Sequence, residues 1–172
     1  LLNPGSIAVV GASNNASRIG GMPLAHLTQF GYQGQIYPIN PKGGEIQGLT
    51  AYARLADTPQ APEMAVVAVP AQHALQAVRD CAERGVQGAV VLSSGFAEAG
   101  PEGIALQAEM TRIARAHGMR LIGPNCLGTL GVADRVIGSF SVALEDHMPE
   151  PGGIGIVSQS GNIGSYTLQI LV

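Results

Sequence analysis

The sequence predicts an α/β fold in which helices cover both faces of a doubly wound parallel sheet. Short apolar runs of strand length alternate along the 172 residues with segments of helical length. The strand candidates are near-continuous runs of Val, Ile and Ala, such as MAVVAV at 64–69, instead of a strict alternation of apolar and polar residues. Such runs are typical of strands that are buried on both faces. A composition of 46% hydrophobic and 12% charged residues is sufficient for the core of this fold.

The first third of the chain supplies three strand candidates and one helix. The helix stops near Gly31, because glycine favours helix ends. The stretch GLTAY indicates a short extra strand, and the residues before Pro59 indicate one helical turn. In order, the predicted elements are a strand at 6–10, a helix at 23–30, strands at 35–39 and 48–52 and a helical turn at 53–57.

The middle of the chain continues the alternation with three strands and two helices. The segment 71–84 has a helical period, and Gly85 is its expected C-terminal cap. Ligands of doubly wound sheets bind beyond the carboxyl ends of the strands, and the polar and glycine-rich motifs of this chain occur at those ends. The predicted elements are strands at 64–69, 88–92 and 120–122 and helices at 71–84 and 102–116.

A second unit is predicted near the end of the sequence. EDHMPEPGG at 145–153 has the composition of an inter-domain linker. A new apolar strand is expected to begin at Ile154 and to turn through SQSGNIGS into a helix. The predicted domains are therefore 1–147 and 148–172. The abrupt start and end of the chain suggest a piece of a longer protein.

The composition argues against several classes of protein. A net charge of −3, no basic run and no Trp argue against a nucleic-acid-binding protein. No apolar run reaches the length of a membrane span, and no signal segment opens the chain. Cys81 and Cys126 lie in different predicted elements, so neither a disulfide framework nor a zinc site is predicted, and the reducing cytoplasm is the expected location. His26, His73 and His117 lie in predicted helices without ligand-spaced neighbours, and His147 lies in the linker. All four are interpreted as surface or packing residues.

GASNNASRIGG at 11–21 indicates an anion-binding turn between the first strand and the first helix. Gly11 permits a turn that a side chain would obstruct, and Gly20 lets the backbone pass close to a ligand or a neighbouring strand. A helix start near Ile19 would offer free N–H groups. The spacing is longer than G-x-G-x-x-G and matches the nicotinamide fingerprint poorly; a glycine turn without a ligand is the alternative. The candidate side-chain donors are Ser13, Asn14 and Ser17.

NPKGGE places a cation after the second strand. Asn40 and Pro41 fix a turn from which Lys42 projects. An acid at this position would bind ribose hydroxyls, whereas a lysine neutralises a phosphate. The alternative is an ordinary exposed lysine in a turn.

Three further turns carry polar groups at strand or helix ends. SSGFAEAG at 93–100 is interpreted first as helix capping by Ser or Glu. In IGPNCLG, Asn125 either caps the backbone or contacts a ligand, and Cys126 is interpreted as a small buried residue. Ser160-Gly161 forms either a second anion pocket or a plain N-cap. It is not a nucleophile elbow, since Ser158 stands where that motif has glycine.

Six stretches together resemble the α part of NDP-forming acyl-CoA synthetases. This superfamily includes ADP-forming acetate–CoA ligase and, more distantly, the α subunit of succinyl-CoA synthetase. The stretches follow the family's order and span essentially the whole chain. They are GASNNASRIGG, YPINPKGGEIQG, VPA at 69–71, SSGFAEAG, LIGPNCLG and GIVSQSGNIGS.

The resemblance implies a Rossmann-like domain that binds coenzyme A instead of a dinucleotide. CoA carries a ribose 3′-phosphate and a pyrophosphate, so its site needs cations and N–H donors where an NAD site has a carboxylate. By resemblance, Ser160 and Gly161 hold the phosphate of a phosphohistidine intermediate. The implied CoA-binding residues are Gly11, Ser13, Asn14, Ile19, Gly20, Asn40, Lys42, Pro70, Ser93, Ser94 and Asn125.

The resemblance also implies what the whole protein does. In the family, the acyl group passes through an acyl phosphate. A histidine of a second, flavodoxin-like domain relays the phosphoryl group to a nucleotide on an ATP-grasp β part. Residues 148–172 would then be a linker and the first βα unit of that domain, truncated. The histidine and the site for ADP or ATP with Mg are expected beyond Val172. The whole protein is expected to be an oligomeric ligase of a carboxylic acid and CoA, whereas this piece alone should bind CoA without turnover.

Two other functions stay open from the residues. One is a CoA-binding regulatory module of a protein lysine acetyltransferase. The other is an NAD(P)-dependent oxidoreductase, in which Lys42 would accept the 2′-phosphate of NADP. No catalytic Tyr-Lys or His-Asp set supports the oxidoreductase.

Overall fold

The secondary structure follows the predicted alternation of strands and helices, with two hairpins added to it. The computed structural model describes residues 1–144 and 148–170. In chain order the elements are β1 Ser6–Val10, α1 Met22–Gln29, β2 Gln35–Ile39, β3 Gly44–Ile46, β4 Leu49–Ala51, β5 Met64–Val67, α2 Ala71–Arg84, β6 Gly88–Val91, α3 Pro101–Ala116, β7 Arg120–Ile122, β8 Gly128–Gly131, β9 Val136–Ser139 and α4 Gly161–Ile170. Single 3₁₀ turns occur at Leu55–Asp57, Ala97–Ala99 and Val142–Leu144.

The central sheet has five parallel strands in the order β2-β1-β5-β6-β7. β1 pairs in parallel with β2 on one side and with β5 on the other. The chain therefore moves outward from β1 to β2 and then returns to the other side of β1. This reversal of strand order creates a crevice at the carboxyl ends of β1 and β5, the usual ligand position in such sheets. The predicted doubly wound α/β class is confirmed.

Different elements cover the two faces of the sheet, which explains the continuous apolar runs of the strands. On one face, α2 and α3 pack through residues such as Val78, Cys81 and Met110. On the other face, α1 packs through Leu24 and Leu27, beside the β8–β9 hairpin. Each strand contributes side chains to the apolar core on both faces of the sheet, because successive side chains point to opposite faces.

The structure contains two hairpins that the sequence predicted only in part or not at all. Only one short strand was expected at 48–52, whereas β3 and β4 form an antiparallel pair. Their turn needs a left-handed conformation at Gln47 (φ 50°) and Gly48 (φ 79°). The β8–β9 pair was not predicted, and its connection includes Arg135 at φ 56°. Asn-Gly is the strongest sequence signal for such turns, and neither hairpin carries it.

The strand expected from Ile154 does not form. Residues 151–160 carry no strand in the structure, and Val157 is fully exposed. A strand needs a neighbour for its backbone groups, and none of the described strands lies beside this segment. The helix that was expected next is present as α4. The proposed domain boundary at 147 falls at residues 145–147, outside the described residues.

No helix among the described residues combines the length and the apolar character needed to cross a membrane.

A buried tyrosine fixes the N-terminal segment to the sheet. The Tyr32 hydroxyl donates a hydrogen bond to the Pro4 carbonyl oxygen at 2.6 Å, and Tyr32 is only 9% exposed. Burial, followed by the negative charge of Glu63, raises the pKa of Tyr32 to about 12. The folded protein therefore keeps the phenol proton at a pH where an unfolded chain, with a pKa near 10, loses it.

Tyr32→Phe should change the alkaline stability of the protein. The raised pKa means that the stabilisation by the Tyr32 phenol is complete below pH 10 and is lost as the pH rises through about 12. We expect the unfolding temperature of the wild type to fall more steeply than that of the variant over this range. At pH 7 the variant should be less stable by about 1–2 kcal/mol, because the Pro4 carbonyl loses its donor. Calorimetry across pH measures both effects. Tyr166→Phe, at a 66% exposed tyrosine, is the control, and parallel pH profiles for wild type and Tyr32→Phe would contradict the assignment.

Candidate functional site

The turns that follow the five parallel strands meet at one edge of the sheet. Parallel pairing places all carboxyl ends on the same side, so the motifs predicted from the sequence lie along a single rim. β2 and β7 are the outer strands, and β1 and β5 flank the crevice. The rim therefore runs from Lys42, after β2, to Asn125, after β7.

The glycine-rich turn begins at the crevice with no room for a side chain. Gly11 has φ 90°, and a Cβ there would lie 2.6 Å from the Ala68 carbonyl oxygen. The N–H groups of Gly11 and Ala12 donate to the Ile39 carbonyl oxygen at 3.0 and 3.1 Å. A Cβ at Gly20 would collide with the carbonyl oxygen of Gly11. Both glycines are thus required by close backbone approach, as their positions predicted.

Helix α1 begins at Met22, three residues after the expected start near Ile19. The Gly21 and Met22 N–H groups both donate to the Arg18 carbonyl oxygen, at 2.8 and 2.9 Å, so they are not free for an anion. The helix therefore begins later than expected, and the N–H groups of Gly21 and Met22 are not the free donors. The turn itself supplies them: among the described residues no acceptor bonds the N–H groups of Asn14, Ala16 and Ile19.

Side chains of the turn are mostly engaged within the protein. The Ser13 hydroxyl accepts a hydrogen bond from the Asn15 N–H at 3.1 Å, which leaves its own proton for another partner. The Asn14 carboxamide oxygen accepts from the Gln47 N–H at 2.8 Å, and its Nδ2 donates to the Glu45 carbonyl oxygen at 3.5 Å. Asn14 thus holds the β3–β4 hairpin with its side chain. An anion would meet its backbone N–H.

Asn40 connects the turn after β2 to the glycine-rich turn. Its Nδ2 donates to the Ala12 carbonyl oxygen at 2.9 Å, and its Oδ1 accepts from the Lys42 N–H at 2.9 Å. Lys42 is exposed and is the sole lysine of the chain. Arg18, an exposed second cation on the same rim, was not among the residues predicted from the sequence. Among the described residues neither cation has an acidic partner, so both are available to an anionic ligand.

The β5 and β6 ends are linked by a serine. The Ser93 hydroxyl donates to the Val69 carbonyl oxygen at 2.6 Å, and the Ser93 carbonyl accepts from the Asn125 N–H at 2.8 Å. Pro70 and Ser94 are exposed on this part of the rim. Ser93 therefore braces three neighbouring turns.

Glu98 stabilises the turn of SSGFAEAG without capping a helix. Its carboxylate accepts a hydrogen bond from the Gly95 N–H at 2.6 Å, and this bond lowers the pKa of Glu98. The predicted helix capping by Ser or Glu was therefore wrong, because neither the 3₁₀ turn nor α3 has a side-chain cap. Ser94 is exposed.

Cys126 is a packing residue on the rim, and it is half-buried, whereas a buried residue was expected. Its Sγ donates to the Val91 carbonyl oxygen at 3.4 Å, and burial raises the pKa of the Cys126 thiol. A raised pKa disfavours the thiolate, which is the nucleophilic form. Asn125 adopts φ 54° beside a cis peptide bond between Gly123 and Pro124.

Ser160 caps the last helix. Its hydroxyl accepts from the Ile163 N–H at 3.4 Å, and α4 begins at Gly161. A Cβ at Gly161 would lie 2.8 Å from a methyl carbon of Leu127, so the helix start lies at the β7 end of the rim. The plain N-cap is therefore present, at the opposite end of the sheet from Lys42.

The histidines do not gather into a site. Among residues 1–144 and 148–170, no three His, Cys, Asp or Glu side chains are placed to hold a metal ion. His26 is buried with its Nδ1 3.1 Å from the Ser139 carbonyl oxygen, while His73 and His117 are exposed. His147 lies outside the described residues.

Two cavities of the surface lie away from most of the rim. The larger one, about 510 Å³, is an open groove on the outer side of α3 near Ile104 and Arg115. The smaller, about 360 Å³, lies between Ser17 of the glycine-rich turn and His26 of α1. The rim is a better candidate than either cavity, because it combines unbonded N–H donors with two cations that have no acidic partner among the described residues.

Comparison with known proteins decides the family. The family described as "CoA binding domain" matches residues 5–131. The chain belongs to this family. Among curated relatives, a trans-feruloyl-CoA synthase from an unknown prokaryotic organism is 40% identical over 169 residues, covering 96% of this chain and 24% of the relative. The α subunit of acetate–CoA ligase (ADP-forming) I of Pyrococcus furiosus is 37% identical over 168 residues, covering 95% of this chain and 36% of the subunit.

A solved structure agrees with the fold of this CoA-binding domain. It is the dinucleotide-forming acetyl-coenzyme A synthetase 1 of Ca. Korarchaeum cryptofilum, in complex with phosphate and ADP. The TM-score is 0.89 at 38% identity, over 98% of this chain and 35% of the other. The chain thus spans about a quarter to a third of the length of the relatives that it matches.

Gly11→Ala should disrupt the CoA-binding domain much more than Gly44→Ala. Both glycines have a left-handed φ, 90° and 82°, but a Cβ at Gly44 would meet no atom within 4 Å. We expect a loss of about 1 kcal/mol in the free energy of unfolding for Gly44→Ala, from backbone strain alone. Gly11→Ala should lose about 2–4 kcal/mol, because it adds the contact with Ala68. Denaturant unfolding measures both, and equal losses would show that the close approach is unimportant.

Proposed function

We propose that this chain is the CoA-binding part of an ADP-forming acyl-CoA synthetase. The whole protein would convert a carboxylic acid, CoA and ATP into acyl-CoA, ADP and phosphate, and would run the reaction in reverse. The observation that carries the proposal is the alignment of nearly the whole chain with enzymes named as acetate–CoA ligases or acetyl-CoA synthetase, at 37–38% identity. The chemistry of the rim supports it independently.

The phosphates of CoA are proposed to bind at the β1 and β2 end of the rim. N–H donors of the glycine-rich turn would meet the pyrophosphate, with help from the Ser13 hydroxyl and the Arg18 guanidinium. Lys42 would meet the ribose 3′-phosphate. The end of β2 carries Asn40 and Lys42 in place of an acid, which favours a phosphate over the free ribose hydroxyls of NAD.

The pantetheine arm of CoA is proposed to run along the rim toward β7. It would pass Pro70, Ser93 and Ser94 and bring the thiol near Asn125. Four strand spacings separate β2 from β7, roughly 19 Å. A long ligand with phosphates at one end and a thiol at the other suits this extent. The part of the site that binds the phosphates would be formed by the turn that contains Gly11, Ile19 and Gly20. Asn40 would connect this turn to the turn after β2.

The chemical steps are proposed to need parts outside the described residues. Ser160 and Gly161 start a helix at the thiol end of the rim. This position suits the phosphate of a phosphohistidine, because a helix start attracts anions. The histidine itself and an ATP-grasp part that holds ADP or ATP with Mg would complete the enzyme, as an oligomer in the cytoplasm. This part alone would bind CoA without turnover.

Lys42→Ala should separate CoA from dephospho-CoA. A charge-assisted contact with the 3′-phosphate contributes about 1.5–3 kcal/mol, so the variant should bind CoA roughly 10–100-fold more weakly. Dephospho-CoA lacks that phosphate, and its affinity should be nearly unchanged. Isothermal titration of the full-length protein measures both. Arg115→Ala, on the outer side of α3, is the control for loss of a positive charge. Equal losses of affinity for CoA and dephospho-CoA would contradict the assignment of Lys42 to the 3′-phosphate.

The full-length protein should form a thioester with release of ADP. Incubated with CoA, ATP, Mg²⁺ and a panel of carboxylic acids, it should produce ADP, phosphate and acyl-CoA in equal amounts. Chromatography of the nucleotides makes the distinction, since AMP and pyrophosphate would indicate a different ligase class. Binding of NADH in preference to CoA, or acetyl transfer to protein lysines without thioester formation, would overturn the proposal.

A further inference from the structure

The tip of the β3–β4 hairpin is bonded to the glycine-rich turn through Gln47. Its side-chain Nε2 donates to the Ser13 carbonyl oxygen at 2.8 Å and to the Gly21 carbonyl oxygen at 3.0 Å. Its backbone N–H donates to the Asn14 carboxamide at 2.8 Å. One residue therefore makes three hydrogen bonds to a segment 26 to 34 positions away in the sequence.

The two side-chain bonds join the two limbs of the turn. Ser13 lies at the entry of the loop that carries the unbonded N–H groups, and Gly21 lies at its exit. The Ser13 N–H also donates to the Gly20 carbonyl oxygen, at 3.3 Å. The two ends of the loop are therefore held together by a backbone hydrogen bond, and the Gln47 amide connects them a second time. Both protons of the amide are used, one for each limb.

The hairpin has the rigidity to hold this amide in place. Ile46 and Ala51 are 5% and 7% exposed and belong to the apolar cluster on the α1 side of the sheet. The left-handed conformation of Gln47, at φ 50°, reverses the chain at the tip. The hairpin also begins only two residues after Lys42. It thus connects the turn to the second proposed phosphate contact.

We propose that Gln47 is a positioning residue for CoA, an inference that rests on the proposed function. Its amide holds the two limbs of the turn at the separation at which the Asn14, Ala16 and Ile19 N–H groups converge on the pyrophosphate. Without the Gln47 amide, the loop would become ordered only when the ligand binds. The conformational entropy lost in that step would lower the affinity for the ligand. The effect acts through the pyrophosphate, so it falls equally on CoA and dephospho-CoA, unlike that of Lys42.

Gln47→Met in the full-length protein tests the proposal. Methionine has nearly the same length and no β-branch, so the change removes the two side-chain bonds and keeps the backbone preference. Gln60→Met is the matched control, at an exposed glutamine whose side chain bonds none of the described residues. We expect CoA and dephospho-CoA each to bind about tenfold more weakly to Gln47→Met, as for the loss of two neutral hydrogen bonds. The KM for CoA should rise similarly, while those for the acid and ATP stay unchanged.

Amide hydrogen exchange without ligand supplies a second readout. Peptides that cover residues 13–21 should exchange faster in Gln47→Met than in wild type or Gln60→Met, with the rest of the domain unchanged. If the wild type binds CoA and Gln47→Met binds it equally well, the positioning role is wrong and the proposed function stands. If the wild type does not bind CoA, the proposed function fails and the inference with it.

A general loss of structure would also overturn the role. In that case exchange would rise throughout the domain and all three KM values would change together. Should Gln47→Met fail to fold, Gln47→Asn replaces it, because asparagine tolerates the left-handed conformation but is too short to span both limbs. Equal CoA affinity of Gln47→Asn and wild type would then reject the proposal.

Discussion

The fold and the proposed site both depend on the pairing of β1 with a parallel strand on each side. β2 and β5 hold its backbone from both directions, so its carboxyl end is fixed where the strand order reverses. The chain can turn away from this crowded point only because Gly11 has no side chain facing the Ala68 carbonyl. The position of every N–H donor in the following turn is set from here. Burial of both faces of the sheet stabilises this arrangement more than any contact of the rim itself.

The proposed binding of a polyanion at the rim is compatible with the acidic character of the chain. The net charge is −3, yet Arg18 and Lys42 stand at one end of the rim without acidic partners among the described residues. Backbone donors add fixed partial charges that need no counter-ion. In the proposed site, selectivity among nucleotides would depend on the amide and the lysine that follow β2. Free ribose hydroxyls would lack their usual acceptor, while an extra phosphate would gain a cation.

The helices and strands that are marked by local sequence patterns could be predicted from the sequence. The helix at 71–84 and the strands at 6–10, 35–39 and 120–122 were predicted with the bounds that the structure has, because buried runs and glycine ends mark them. The β3–β4 hairpin was predicted as a single strand and the β8–β9 hairpin was not predicted, since strands of three or four residues carry little periodicity. The rim was predictable from topology, because parallel strands bring their carboxyl ends together. Asn14 was selected as a donor to the ligand, but its contact with the hairpin and the role of Gln47 could not be predicted, since both come from hydrogen bonds between distant parts of the chain.

The segment before α4 has a practical consequence for any work on this piece in isolation. Ile154 and Val157 are 73% and 103% exposed, and no described strand pairs with their backbone. An exposed apolar stretch of this kind, with no lysine in it, favours association with other copies of the chain. Truncation before Gly152, or an added charge at Val157, would be the rational choice for keeping a recombinant fragment dispersed.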